Sequence, residues 1–254
     1  MKKVFFILGL LIVVFILYPL AHMMLSTPLI DLKGALVDKE VLASIVLTLR
    51  ASLWATMFAI VFGVPLAYIL VRYNFFGKKI IEGIVDLPVI IPHTAAGIAL
   101  LSVWGRKSSF GELTGFSIMG TEIAISLAMF FVSVPFLINS VKNGLKLIDP
   151  RYEKVAISLG ATPLKAFFTV TVPLLKKSIL SGSIMMWARG ISEFGAVVIL
   201  AYHPMIAPVL IYDRFEAFGL KYAKPIAVLL ILICLAVFIA LRILEDRKLN
   251  DYSK

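Results

Sequence analysis

Long, almost uninterrupted apolar runs separated by short polar stretches set the pattern of this chain. They fall at 4–25, 51–71, 84–104, 122–141, 178–200 and 225–243. The strands of an outer-membrane barrel would alternate with period two, whereas these runs are uniformly apolar and long enough to cross hydrocarbon, so each predicts a helix. The first run follows Lys2 and Lys3 and has the outline of a signal peptide. It is too long for the apolar core of one and no small-x-small site follows it, so it is read as a retained helix.

Composition sharpens this picture to an all-α membrane protein with six transmembrane helices. Of 254 residues, 61% are apolar and 16% charged, with a mean hydropathy of +1.00. Soluble domains carry far more charge, so a soluble enzyme, a nucleic-acid-binding module and a disordered chain are excluded. The net charge of +10 matches basic loops next to membrane spans. The amino terminus, the loop at 72–79, the segment 142–177 and the carboxyl terminus hold sixteen Lys and Arg, the alternate segments seven. That asymmetry predicts a cell-membrane protein with both termini and the 142–177 segment in the cytoplasm. The whole chain, 1–254, reads as one transmembrane domain without an internal repeat, so a pathway on a symmetry axis would need a second copy.

The segment 149–175, DPRYEKVAISLGATPLKAFFTVTVPLL, is apolar at helical spacing but too short to span lipid. Asp149-Pro150 opens one helix, Gly160 ends it, and Thr162-Pro163 opens a second. A hairpin resting on headgroups would account for the charges. The order of small residues suggests instead a slim tip, Ala156, Gly160 and Ala161, that enters a groove on a partner. These residues resemble the signature loop of ABC importer membrane subunits: E-A-A, three residues, G, nine residues, I-x-L-P. Val155 and Ala156 match its second and third positions, Gly160 its glycine, and Val170, Val172 and Pro173 its end. Lys154 stands where the pattern has glutamate, with Glu153 one place earlier. The resemblance implies that Glu153, Val155, Ala156, Leu159, Gly160 and Ala161 couple the chain to an ATPase.

No G-x-x-x-x-G-K-[ST] occurs, so ATP and Mg would sit on a separate polypeptide and this chain would bind no cofactor. His22, His93 and His203 are scattered and Cys234 is single; neither a metal site nor a catalytic group is predicted, and no G-x-S-x-G or H-E-x-x-H supports an intramembrane enzyme. Two apolar runs nonetheless carry polar chemistry. In the fifth, Arg189 and Glu193 stand four apart on one helical face, either as a packing ion pair or as part of an anion pathway or gate. Its Ser and Gly residues make a slim face suited to close helix contact near a dimer axis or to a wet pore. In the third, Pro88 and Pro92 predict a kinked or unwound helix with Pro92, His93 and Thr94 as pathway candidates.

DLPVIIPHTAAGIALL and WARGISEFGAVVILA resemble the corresponding helices of the molybdate, tungstate and sulfate permeases, the small type I ABC importers. The resemblance implies a type I fold, a homodimer, two cytoplasmic ATPase subunits, an external oxyanion-binding protein, and import of molybdate or tungstate by alternating access. Sulfate or another ABC cargo is the alternative, with an ATP-independent channel or an intramembrane enzyme behind it. Membrane lipid is the remaining expected partner; nucleic acid is not one.

Overall fold

The computed structural model describes residues 1–115 and 117–250, and among these it is helical without strands. The last four residues, including Lys254 among the cations assigned to the cytoplasmic side, lie outside the described residues. In chain order the helices are α1 (Lys2–Leu25), α2 (Leu29–Val37), α3 (Lys39–Arg72), α4 (Lys78–Ile90), α5 (His93–Trp104), α6 (Ser109–Thr114) and α7 (Glu122–Lys146). They are followed by α8 (Arg151–Ser158), α9 (Pro163–Ala166), a π-helical turn (Phe167–Thr171), α10 (Val172–Ile191), α11 (Gly195–Leu200), α12 (Ala207–Phe218) and α13 (Leu220–Asn250).

Four of these are long and apolar enough to cross a membrane as single pieces: α1, α3, α7 and the Leu220–Leu241 part of α13. The other two predicted spans are broken. α4 and α5 form one apolar unit bent by 114°, because Pro92 lacks the N–H that would continue the ladder and holds the residue before it extended. The fifth run stops at Ile191 and resumes at Gly195, so Glu193 lies in the gap and not within a helix. α3 begins well ahead of its apolar run because Asp38 caps it, its Oδ1 accepting from the Glu40 N–H at 2.9 Å.

α7 is the centre of the packing, with α3 and α10 against it and α5 against α11. Small residues set the spacing. A methyl on Gly144 would stand 2.0 Å from Ser178 Oγ, one on Gly182 2.7 Å from Ser140 Cβ, and one on Gly190 2.5 Å from Ser52 Oγ. Gly182 and Gly190, on the face expected to suit close helix contact or a wet pore, make close contact inside the protomer, where van der Waals packing replaces the hydrophobic drive that lipid removes. A second apolar cluster joins α2, the start of α3, α12 and α13 through Ala35, Val41, Ile45, Leu210 and Ile226. The buried Thr48 hydroxyl accepts there from the Ala207 N–H at 2.8 Å. α1 touches α13 and has no buried residue.

Candidate functional site

Within the 142–177 segment, the stretch between the end of α7 and the start of α10 folds as a helical hairpin. Asp149 Oδ1 accepts from the Arg151 N–H at 2.8 Å and starts α8. Gly160 closes α8 at φ +92°, a left-handed conformation that strains any residue with a Cβ. Its N–H donates to Ile157 O and that of Ala161 to Ala156 O. Thr162 Oγ1 then accepts from the Lys165 N–H and opens α9.

From Pro163 the helical path runs on through the π turn into α10 without a break. Pro173 cannot donate to the turn before it, and the wider π turn absorbs that lost bond. The second limb of the hairpin is thus the same rod as the fifth apolar run, where the sequence reading has two elements.

Val155 is 57% and Leu159 83% exposed; Gly160 is exposed, with open space where a Cβ would point, and Ala156 and Ala161 are half-buried. Glu153 is buried and turned the other way. Its carboxylate accepts from Tyr68 Oη at 2.7 Å and from Arg72 Nε at 3.0 Å. Tyr68 and Arg72 are missed by sequence reasoning, which sees an apolar run and a loop cation. The one signal is their i,i+4 spacing on a single face at the end of α3.

The two broken runs meet. Arg189 Nη2 lies 2.9 Å and 2.8 Å from the two ring nitrogens of His93. Glu193 Oε2 stands 3.2 Å from Arg189 Nη2, near enough to pair with its charge, and 3.1 Å from His93 Nδ1, without a hydrogen bond to either. Its Oε1 accepts from the Ala196 N–H at 2.9 Å, capping the resumed helix.

Glu193 is fully buried, while the side chains of Arg189 and His93 keep 22% and 33% of their surface. A buried carboxylate at membrane depth is tolerable only with such compensation. The arrangement presents a guanidinium and an imidazole to solvent with the negative charge behind them, which can steer or gate an anion without holding it tightly. Pro92 and Thr94 are exposed at the same bend, outside this cluster. Gly195 lets the two breaks approach, since its Cβ would come within 2.9 Å of His93 Cβ.

Beside α10 an open cavity of about 780 Å³ lies among α4, α7 and α10, with Asp86, Asn139, Ser140, Asn143, Lys177 and Ser181 in its wall. Asn139 Nδ2 donates to Asp86 Oδ1 at 2.7 Å, and Lys142 pairs with Glu82 at 3.1 Å; both contacts hold α4 on α7. Charged and amide side chains in the wall of a cavity between apolar helices mark a water-accessible face.

Helices broken at polar clusters, joined by a continuous rod to an exposed hairpin, are the parts of a membrane transport subunit. Residues 59–250 match the family of binding-protein-dependent transport system inner membrane components, and the chain belongs to that family. It is a multi-pass membrane protein and a transport component. It is 42% identical, over 91% of its length and 92% of the relative's, to the molybdate/tungstate transport system permease protein WtpB of Methanocaldococcus jannaschii. To the probable sulfate transport system permease protein cysT of Helicosporidium sp. subsp. Simulium jonesii it is 34% identical, covering 84% of this chain and 82% of that one. The fold is similar to that in a crystal structure of a bacterial alginate ABC transporter in complex with an alginate pentasaccharide-bound periplasmic protein. The TM-score is 0.72 over 97% of this chain and 96% of that one, at 14% identity, and bears on the fold alone.

Proposed function

We propose that this chain is the permease through which an ATP-driven importer moves a tetrahedral oxyanion, molybdate or tungstate. The observation that carries this reading is the 42% identity to a molybdate/tungstate permease over nine-tenths of both chains. The chain works as a homodimer with its broken helices facing a central pathway; the cavity beside α10, open on one side and carrying Asp86, Asn139 and Lys177 in its wall, supports this. Two cytoplasmic ATPase subunits, which bind ATP and Mg, dock on the exposed hairpin faces around Val155, Ala156, Leu159, Gly160 and Ala161. A binding protein delivers the anion from outside, and both termini lie in the cytoplasm.

The geometry supplies a mechanism. When the ATPases close, the hairpins move together, and the rod from Pro163 to Ile191 carries that motion to the break held by Arg189, His93 and Glu193. The pathway then changes the side to which it opens. Since the binding protein selects the cargo, the cluster needs only to lower the barrier for an anion, and tight capture would slow release.

The test is reconstitution of the chain with its ATPase and binding protein in vesicles, with uptake of labelled molybdate, tungstate and sulfate measured with and without ATP. ATP-dependent uptake of molybdate or tungstate is expected. An ATP-independent flux, or failure of any ATPase to co-purify, refutes the importer reading. Sulfate is the second reading, favoured by the likeness to the cysT protein, and titration of the binding protein with each anion separates the two.

A further inference from the structure

The exposed side of the hairpin faces outward, yet its acidic residue does not. Glu153 retains 9% of its side-chain surface and Arg72 10%. The carboxylate accepts from Tyr68 Oη at 2.7 Å on one oxygen and from Arg72 Nε at 3.0 Å on the other, which Arg72 Nη2 approaches to 2.9 Å as an ion pair. Arg72 Nη2 also donates to Ile148 O at 3.0 Å, where the chain leaves α7 for the hairpin. Swinging Glu153 out to meet a partner would strand the guanidinium in a nearly closed site, which buried ion pairs resist strongly.

Tyr68 also holds the other limb. The Phe167 ring stands edge-on to it at 5.0 Å between centroids, and Phe167 is the first residue of the π turn. Both limbs of the hairpin are therefore fastened to the last turns of α3, α8 through Glu153 and the α9–α10 rod through Phe167. Further along, α3 meets α10 again where the Ser52 hydroxyl donates to Trp187 O at 2.8 Å, two residues before Arg189.

We propose that Tyr68, Arg72 and Glu153 form a joint that makes the hairpin and α3 travel as one body. Glu153 is thus a positioning residue inside the permease and not a contact for the ATPase. This rests on the importer reading above. It assigns transmission to a second route: besides the continuous rod into α10, motion passes through the joint to α3 and from α3 to the turn of α10 that carries Arg189.

The test uses the reconstituted complex with ATPase and binding protein, and reads three quantities: ATPase subunit retained on purification, stimulated ATP hydrolysis, and molybdate taken up per ATP hydrolysed. Wild-type uptake is the control, so failure of the importer reading appears there and not in the variants. Tyr68→Phe leaves the ion pair intact and Glu153→Gln removes its charge. Both are expected to retain the ATPase and hydrolyse ATP, while uptake per ATP falls roughly tenfold in Glu153→Gln, within the usual range of coupling between sites, and less in Tyr68→Phe. Loss of the ATPase from a correctly inserted Glu153→Gln complex, or unchanged uptake per ATP, overturns the proposal.

A covalent replacement separates transmission from simple stability. In a Cys234→Ala background, Arg72→Cys with Glu153→Cys should be uncoupled when reduced and recover uptake per ATP once a bismaleimide joins the two thiols. If the cross-link abolishes transport or restores nothing, hairpin and α3 do not move as one body.

Discussion

Replacing Glu193 with alanine removes two things that can be weighed separately. The first is the cap: Oε1 accepts from the buried Ala196 N–H at 2.9 Å, and loss of such a cap costs about 1 kcal/mol. The second is the compensation of Arg189, whose Nη2 stands 3.2 Å from Oε2. Breaking a wholly buried pair costs about 3–5 kcal/mol, but the Arg189 side chain keeps 22% of its surface and can hydrate in part. The expected loss for Glu193→Ala is therefore about 2–4 kcal/mol.

Removing the stranded cation as well should restore the ionic share. The double variant with Arg189→Ala is expected to be more stable than Glu193→Ala, with a coupling of about 1–3 kcal/mol. Glu193→Gln with Arg189→Ala, which keeps an acceptor for the Ala196 N–H, should come nearer still to wild type. The assay is thermal unfolding of the purified protein in one detergent, for wild type, the single variants and the doubles. Single effects that add to within about 0.5 kcal/mol would refute the reasoning, since they would mean that the two charges do not sense one another.

Other expectations follow from single positions. Gly160→Arg points into open space at φ +92°, so it should insert normally yet lose ATPase stimulation by the loaded binding protein, whereas Gly160→Ala, which adds only about 1–2 kcal/mol of backbone strain, should retain most of it. Gly144→Ala drives a methyl to 2.0 Å from Ser178 Oγ and should lower the melting point by the equivalent of about 1–3 kcal/mol. Gly83→Ala, in an exposed part of α4 with nothing near its Cβ, should be neutral or stabilising by up to about 1 kcal/mol. Reporter fusions at Lys146 and Lys221 should give opposite sides of the membrane; the same side for both would remove the proposed topology.

The class of protein was legible in the chain because it depends on local quantities. Apolar runs must face lipid wherever they fold, and proline removes a donor wherever it stands. The bend between α4 and α5 and the hairpin with its tip at Gly160 follow from such rules, since a left-handed turn and a capping hydroxyl need only their neighbours in sequence. The break at 192–194 was not legible in this way. Arg189 and Glu193 at helical spacing read as one face of an intact helix, and the helix stops because Glu193 caps a new one while its other oxygen meets a histidine from a different bend.

Partners across the fold depend on the rotation and register of packed helices, which composition does not carry. His93 reaches Arg189 across 96 positions only because Gly195 and Gly97 let the two breaks close together. Glu153 stands next to a signature glutamate position and reads as a surface contact, but the rotation of α8 turns it toward Tyr68 and Arg72. Gly182 and Gly190 read as part of a slim face for close helix contact or a wet pore, and the register of the docked helices puts them against Ser140 and Ser52 inside the protomer. Composition and local spacing suffice to put this chain in the membrane and to mark where it bends and where it presents a slim tip; which charges share a site is set by how the helices dock and not by what each one contains.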